Sequence, residues 1–333
     1  MPNDLVSVII LNYNGKDMLA ECVEAVYRQT YPNYEVIVVD NASSDGSDTL
    51  VQARFPKVRL LKLDKNLGFA GGNNRGMEIA RGKYLALLNN DAVPEPQWLQ
   101  ELVRALENDP TAGFCASKIL LYGWEGVIDT AGDEMTIWGV GLKRGQGQRD
   151  GPAYSQPRYV FSACAAAALY RRSMIDEIGG FDEDFFFSCE DTDLAFRAQL
   201  AGYGCLYVPL AVVHHRMGGS NAGRSFLYYQ WYRNLEYVYF KNMPRTLLWK
   251  YLPLHLLYVF CAFAASLLRR TTAVFLRAKL DFLLNLPKVW RKRRAIQRSR
   301  KGSISYLESI MQRGYLIYRL KQEIEPGRRP RRR

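Results

Sequence analysis

No two of the six cysteines stand at Cys-x-x-Cys spacing: Cys22, Cys115, Cys164, Cys189, Cys205 and Cys261 are scattered through 333 residues. The scatter signals neither a zinc site nor a redox dithiol, and apolar neighbours predict that several are buried thiols. G-x-G-x-x-G is missing, since the glycine-rich stretch Gly68 to Asn74 reads GFAGGNN, and G-x-x-x-x-G-K-[ST] is missing too. A dinucleotide fingerprint and a P-loop are thereby excluded. There is no internal repeat and no long low-complexity segment. A basic n-region and an apolar h-region are also lacking, because a strand pattern begins almost at once. No secretory signal is read, and the body is expected to face the cytoplasm.

The body also lacks positive charge. The chain carries +12, but Arg269 to Arg333 holds 20 Lys and Arg against 4 Asp and Glu, which leaves residues 1–268 at −4. A uniformly basic nucleic-acid binder is excluded by that asymmetry. A basic tail behind an apolar segment fits an anionic membrane surface, or, for Arg328 to Arg333, a solvated end.

What is present is an alternation. Val6–Leu11, Val36–Val39, Val58–Leu63 and Tyr84–Leu88 read as buried strands. Apolar residues at helical spacing, such as Met18, Leu19, Cys22, Val23 and Val26, lie between them. This order predicts an α/β domain with a mostly parallel central sheet flanked by helices. Beyond residue 108 the pattern loosens. Gly123–Gly151 reads as loops or a small antiparallel excursion, Val160–Tyr170 as a core strand or strand pair, and Met174–Ile178 and Asp191–Ala201 as helices. Leu247–Leu268 is apolar but contains Lys250, Pro253 and His255, and its run is at the minimum for a membrane span of ~20 residues. Ala273–Leu286 has charges on one face only, as an interfacial helix does.

Each strand ends in polar residues: Asn12-Tyr13-Asn14, Asp40-Asn41, Asn66 with Gly68, and Asn89-Asn90-Asp91. In a parallel sheet these ends share one edge, where open α/β folds place ligands. The stretch ALLNNDA (Ala86 to Ala92) has a plainer reading as a strand end and turn, followed by Pro94 and Pro96.

VSVIILNYNG, VIVVDNASSDGS, NLGFAGGNNRG, ALLNNDA, GGFDEDFFFSCEDTDLAFR and VPLAVVHHRMGGS occur in this order. Together they resemble a family 2 glycosyltransferase of the GT-A fold, similar to its rhamnosyltransferase-like branch, over residues 5–245. The resemblance implies inverting transfer of a sugar from a nucleotide-diphosphate donor, a dTDP- or UDP-sugar, with Mg²⁺ or Mn²⁺. The family's Asp-x-Asp signature falls on Asn89-Asn90-Asp91, so one carboxylate is missing and Asp91 is the implied metal ligand. Asp191 is the implied general base, with Glu190 as the alternative; a helix cap is the plainer role for Asp191. By the same resemblance Asp40 reads the pyrimidine and Asn12 and Tyr13 line the base pocket. Asn73 or Asn74 would touch donor sugar or phosphate, or cap a helix. A His near the metal or diphosphate falls on His214, although adjacent strand residues face opposite ways and only one of His214 and His215 can reach the site. Phe185–Phe187 would wall the acceptor or pack in the core, and Gly218-Gly219-Ser220 would close over the diphosphate.

The expected organisation is a GT-A domain over residues 1–245 and a basic helical region over 246–333 that contacts the membrane. The expected acceptor is a glycan or lipid-linked glycan of the cell surface, met at the inner face of the cell membrane by a peripherally bound cytoplasmic enzyme. A nucleotidyltransferase on a similar fold and a non-catalytic membrane adaptor are the alternatives. Asn12–Lys16 matches poorly the glycine-rich basic loop of the former, and the presence of both Asp91 and Asp191 argues against the latter.

Overall fold

A computed structural model describes residues 4–216 and 223–314. The Gly218-Gly219-Ser220 loop and the Arg328–Arg333 end lie outside the described residues. Strands β1 (Val6–Asn12), β2 (Tyr34–Asp40), β3 (Arg59–Lys62) and β4 (Tyr84–Asn89) alternate with helices α1 (Lys16–Tyr27), α2 (Ser47–Arg54) and α3 (Gly68–Ile79). The four strands pair in parallel in the order β4-β1-β2-β3. Their residues are apolar on both faces because helices cover both. Val6, Val8 and Ile10 pack with Leu19, Val23 and Val26 of α1, whereas Ile9, Ile37 and Leu85 pack with Ala70 and Met77 of α3.

The second half of the sheet is mixed. After β5 (Ala92–Pro94) and α4 (Trp98–Asn108), β6 (Ala112–Leu121) carries β7 (Ile128–Ala131) antiparallel on its end. β8 (Asp133–Met135) and β9 (Gly141–Lys143) form a separate small antiparallel sheet, the excursion expected for residues 123–151. The expected strand pair at 160–170 is β10 (Arg158–Val160) and β11 (Ala167–Arg171), which do not pair with each other. β11 runs antiparallel between β4 and β6, and β10 edges the long strand β12 (Gly204–His215). Between them α5 (Arg172–Ile178) and α6 (Glu190–Ala201) cover the α3 face.

The chain does not loosen after residue 245. Helices α7 (Arg224–Asn242), α8 (Arg245–Leu268) and α9 (Thr272–Arg298), with the short α10 (Ile304–Ser309), share one apolar cluster with the body. Leu247, Tyr258 and Phe282 pack there with Met135, Trp138 and Phe185. His255, fully buried, bonds through Nδ1 with the Trp138 carbonyl at 2.7 Å and through Nε2 with Glu236 at 3.0 Å. By length and composition α8 is the one described helix apolar enough to cross a membrane. From Pro253 on, its outer side is an unbroken apolar stripe of Pro253, Leu256, Leu257, Phe260, Ala264, Leu267 and Leu268, with Trp249 exposed above it beside Lys250. On α9 Ala273, Leu276, Leu280, Leu283 and Leu284 continue the theme, followed by exposed Arg291, Arg294 and Arg298.

Candidate active site

Strand register delivers the first half of the site. Asn12 stands opposite Asp40 and Leu11 opposite Asn89, so the polar ends of β1, β2 and β4 meet at one edge. Asn12 is fully buried and links the three: its Oδ1 accepts from Asn90 Nδ2 at 2.7 Å, and its Nδ2 donates to Asp40 Oδ1 at 3.3 Å and Ser43 Oγ at 3.2 Å. Gly15 permits this bridge, because a Cβ there would lie 2.0 Å from Asn90 Nδ2. Asn12 and Asp40 thus stand behind the wall of a cavity of about 590 Å³, not on its surface. Tyr13, Asn14, Asn41, Asn66, Asn89, Asn90 and Asp91 provide its polar lining, and Tyr13 is half exposed.

The second half comes from the loop into α6. Phe186, Ser188 and Cys189 all have left-handed backbone, with φ of 59°, 73° and 68°. Such conformations cost of order 1–3 kcal/mol each and persist only when the surroundings over-determine them. Here they do. Asn234 of α7 donates to the carbonyls of Phe185 (2.9 Å), Phe187 (2.9 Å) and Ser188 (2.7 Å), and Arg233 donates to that of Asp184 (2.9 Å). From the other side Phe69 N donates to the Phe186 carbonyl at 2.6 Å, an approach that the absent Cβ of Gly68 permits.

This strained turn sets Glu190 and Asp191 in the first turn of α6, where the N-cap position belongs to Cys189. Asp191 therefore is not the cap. Its Oδ1 accepts from Thr192 N at 2.7 Å and its Oδ2 from Ala165 N at 3.4 Å. Asp191 lines a second cavity, of about 570 Å³, with Asp133, Lys143, Cys164, Glu190 and His215. The two cavities adjoin: Phe69, Asn89 and Phe187 line both. Of the three phenylalanines, Phe186 and Phe187 are cavity wall, and Phe185 is fully buried core.

Asp91 and the second cavity are joined by a buried charge chain. Asp91 Oδ1 is buried without a hydrogen-bond partner and lies 3.2 Å from His215 Nε2, close enough for an ion pair. His215 Nδ1 contacts Asp129 Oδ2 at 3.0 Å, and Lys143 donates to both Asp129 oxygens at 2.8 and 2.9 Å. Burial alone would lower the His215 pKa, but Asp129 and Asp91 outweigh it and raise it to about 9. Asp129, despite burial, is held at about 2 by His215 and Lys143. Burial raises Asp191, against its backbone hydrogen bonds and the charge of Lys143. Asp133 is raised to about 7 by burial and by Asp191. Glu190 is pushed well up by burial and then by Asp191, and its Oε2 has no hydrogen-bond partner.

Two expected residues are placed elsewhere. His214 points to the opposite side of β12 from His215 and contacts Glu95 at 3.2 Å, so strand alternation gives the Asp91 contact to His215. Asn73 lies inside α3, donates to the Phe69 carbonyl at 2.9 Å and lines neither cavity. Asn74 is likewise engaged structurally, bridging to the backbone of Phe181. Asp129, Asp133 and Lys143 are additions from the stretch read as loops or a small antiparallel excursion. Their signal was two acids flanking Thr130-Ala131-Gly132, one in β7 and one in β8.

A mixed sheet with polar strand ends on one edge, and two adjoining cavities holding Asp91 and Asp191, defines the GT-A class of transferase. Residues 7–179, just over half of the chain, match the family model described as glycosyl transferase family 2, and the chain belongs to that family. It is 32% identical over 232 residues to an uncharacterized protein of Sinorhizobium fredii, covering 65% of this chain and 25% of that one. It is 28% identical over 240 residues to the N-acetylglucosaminyl-diphospho-decaprenol L-rhamnosyltransferase of Mycobacterium tuberculosis, covering 64% of this chain and 76% of that one. The chain thus spans only a quarter of the length of the Sinorhizobium relative. A mannosyltransferase from Pyrobaculum calidifontis, solved with GDP-Man and Mn²⁺, shares the fold with a TM-score of 0.53 at 20% identity, over 88% of this chain and 85% of that one. GalNAc-T7, solved with UDP, GalNAc and Mn²⁺, does so with a TM-score of 0.56 at 17% identity, over 72% and 51%.

Proposed function

We propose that this family 2 glycosyltransferase moves a sugar, with inversion, from a nucleotide-diphosphate donor to a hydroxyl of a glycan or lipid-linked glycan, at the cytoplasmic face of a membrane. The observation that carries the proposal is the adjoining pair of cavities, with Asp91 in one, Asp191 in the other and Asn89 in both. The amide-rich cavity takes the donor nucleotide, and the Asp191 cavity takes the acceptor. UDP or GDP-sugar and Mn²⁺ in the solved neighbours support a nucleotide-sugar donor and a divalent ion. The name of the mycobacterial relative supports rhamnose as the sugar moved and a lipid-diphosphate acceptor, and the resemblance of the motifs supports dTDP as its carrier.

Asp91 Oδ1, buried without a hydrogen-bond partner beside His215 Nε2, offers the donor set of a divalent site with one carboxylate. Mg²⁺ or Mn²⁺ suits it, since such ions take further oxygens from phosphate and water. When bound, the ion supplies neutralisation of the charge that builds on the departing diphosphate. Asp191 accepts the acceptor hydroxyl proton. Burial raises its pKa, which strengthens it as a base, and the Ala165 and Thr192 amides fix its direction. Phe187 keeps water from the junction of the two cavities.

The test is donor hydrolysis and transfer across a panel of nucleotide sugars, with and without Mg²⁺ or Mn²⁺. Asp191→Asn is expected to lower turnover by about 10²–10⁴-fold with donor affinity unchanged, the usual worth of a positioned base. Asp91→Ala is expected to weaken metal-dependent donor binding as well. Full activity in Asp191→Asn puts the base elsewhere. Pyrophosphate release from a nucleoside triphosphate would instead indicate nucleotidyl transfer, and no nucleotide-sugar binding at all an adaptor.

A further inference from the structure

We propose that the outer end of the Asp191 cavity is a subsite for the phosphate of a lipid-phosphate-linked acceptor, with Arg269 as the residue that contacts it; this rests on the transfer reading above. The cavity has two unlike ends. One is acidic and amide-lined around Asp191. The other is walled by Leu227, Tyr228, Trp231 and Tyr232 of α7 and reaches Arg269 in the turn between α8 and α9. An apolar, aromatic wall with few polar groups suits an organic ligand lying along it.

Arg269 is where this cavity meets the apolar surface. Leu267 and Leu268, immediately before it, are 54% and 76% exposed and end the α8 stripe. Ala273 and Leu276, just after it, begin the α9 stripe. A lipid whose tail lies among those leucines would hold its phosphate at the level of the turn. Guanidinium is the side chain best matched to phosphate oxygens, by charge and by its fork of donors. The same turn starts α9, whose free N-terminal amides favour an anion, and the Thr271 hydroxyl there is buried without a hydrogen-bond partner. The sugar joined to that phosphate then extends inward past Tyr228 and Trp231 toward Asp191. A water-borne glycan has no use for the apolar stripes on either side of the mouth, whereas a lipid-borne one uses both.

The probes are farnesyl diphosphate, farnesol and inorganic pyrophosphate, each titrated calorimetrically into the full chain without sugar nucleotide. Farnesyl diphosphate is expected to bind at least tenfold more tightly than either fragment. Arg269→Gln is expected to lose at least tenfold of that affinity, and Arg269→Lys to lose less than Arg269→Gln. Equal binding of farnesol means a merely greasy cleft and overturns the proposal. So does equal binding of pyrophosphate, which means a free-phosphate site, and so does an unchanged Arg269→Gln. Should Arg269→Gln fail to fold, the wild-type comparison of the three probes and Arg269→Lys still decide. No turnover is required, so a failed donor screen and a failed titration are separate results.

Discussion

Asp133 and Asp191 approach within 4.8 Å, carboxylate oxygen to carboxylate oxygen, with the Cys164 thiol equally near and Lys143 lining the same cavity. Two like charges so placed do not ionise independently. Burial raises both acids, and Asp191 raises Asp133 further, to about 7. A base must be unprotonated to work, so the rate is expected to climb with pH through an acid limb that burial places above the ordinary carboxylate range. Asp133→Asn removes one negative charge, lowers the proton affinity of Asp191 and moves the limb down. Lys143→Met removes the compensating positive charge and moves it up. A pH–rate profile of the two variants checks the signs, and a limb that stays put in both uncouples the pair from catalysis.

Asn234 lies on α7 and lines neither cavity, yet its amide holds the carbonyls of Phe185, Phe187 and Ser188 in the strained loop ahead of Asp191. Replacing it by Ala removes three hydrogen bonds, leaves the Phe187 and Ser188 carbonyls without a side-chain donor while Phe185 keeps that of Arg233, and loosens backbone that has three non-glycine residues at positive φ. At about 1 kcal/mol for each lost hydrogen bond, the loss of stability is expected to be about 2–4 kcal/mol. Turnover is expected to fall at least tenfold, because the direction of the base depends on that loop. Thermal melts and kcat measured at a temperature where the variant is fully folded separate the two effects. Unchanged kcat in a folded Asn234→Ala would mean that α6 fixes Asp191 without the loop.

The parallel half of the fold was legible because its signals are local. Apolar runs such as Val36–Val39 are buried on both faces, and their strand ends bear Asn12, Asp40 and Asn89 at the register positions that bring them to one edge. Asp91 and Asp191 stood out through the resemblance of their motifs to the family, and the two adjoining cavities hold them. What the sequence did not disclose depends on long-range pairing. Asp129, Asp133 and Lys143 matter because β7 folds back on β6 and the β8–β9 hairpin brings Asp133 and Lys143 into the Asp191 cavity, and no local periodicity announces that. His214 and His215 are neighbours with identical side chains, so only the facing of β12 distinguishes them. Asn73 looked available because it stood at the start of the expected helix, whereas a helix that starts at Gly68 turns its side chain inward.

Glu35 provides a stability test remote from the site. Its carboxylate accepts from Ser7 Oγ at 2.7 Å, Arg81 N at 2.7 Å and the guanidinium of Arg59 at 2.7 Å, which ties β1, β2, β3 and the start of β4 together. Partial burial would raise its pKa, but these donors outweigh burial and hold it at about 2. Because the folded value lies below the unfolded one, the stabilisation is complete above about pH 4.5 and fades as pH falls toward 2. Glu35→Gln is expected to cost about 1–3 kcal/mol at pH 7, with wild type and variant converging in acid. Urea midpoints at pH 7, 4 and 3 check this, and a gap as large at pH 3 as at pH 7 would assign the effect to shape, not charge.

The apolar stripes of α8 and α9 offer the last test, on the proposed membrane contact. Deleting the helices is uninformative, because Lys292 pairs with Asp182 and Asp184 and Arg293 donates to the Phe240 carbonyl, so the body depends on them. Point changes on the outer face avoid that problem. Phe260 and Leu284 are 66% and 70% exposed and touch little of the body. Exposed substitutions seldom move stability by more than about 0.5 kcal/mol. Burying a large apolar side chain in lipid, by contrast, contributes about 1.5–3 kcal/mol. Phe260→Glu with Leu284→Glu is therefore expected to leave the melting temperature nearly unchanged. Partitioning onto vesicles of mixed neutral and anionic lipid is expected to fall about a hundredfold, since 1.4 kcal/mol is a factor of ten. Wild-type binding is also expected to weaken as salt rises, because Arg291, Arg294 and Arg298 are exposed beyond the α9 stripe. Sedimentation with such vesicles reads both effects. If the double variant sediments like the wild type, the stripes do not face lipid, and the outer surface of α8 and α9 must instead be covered by protein.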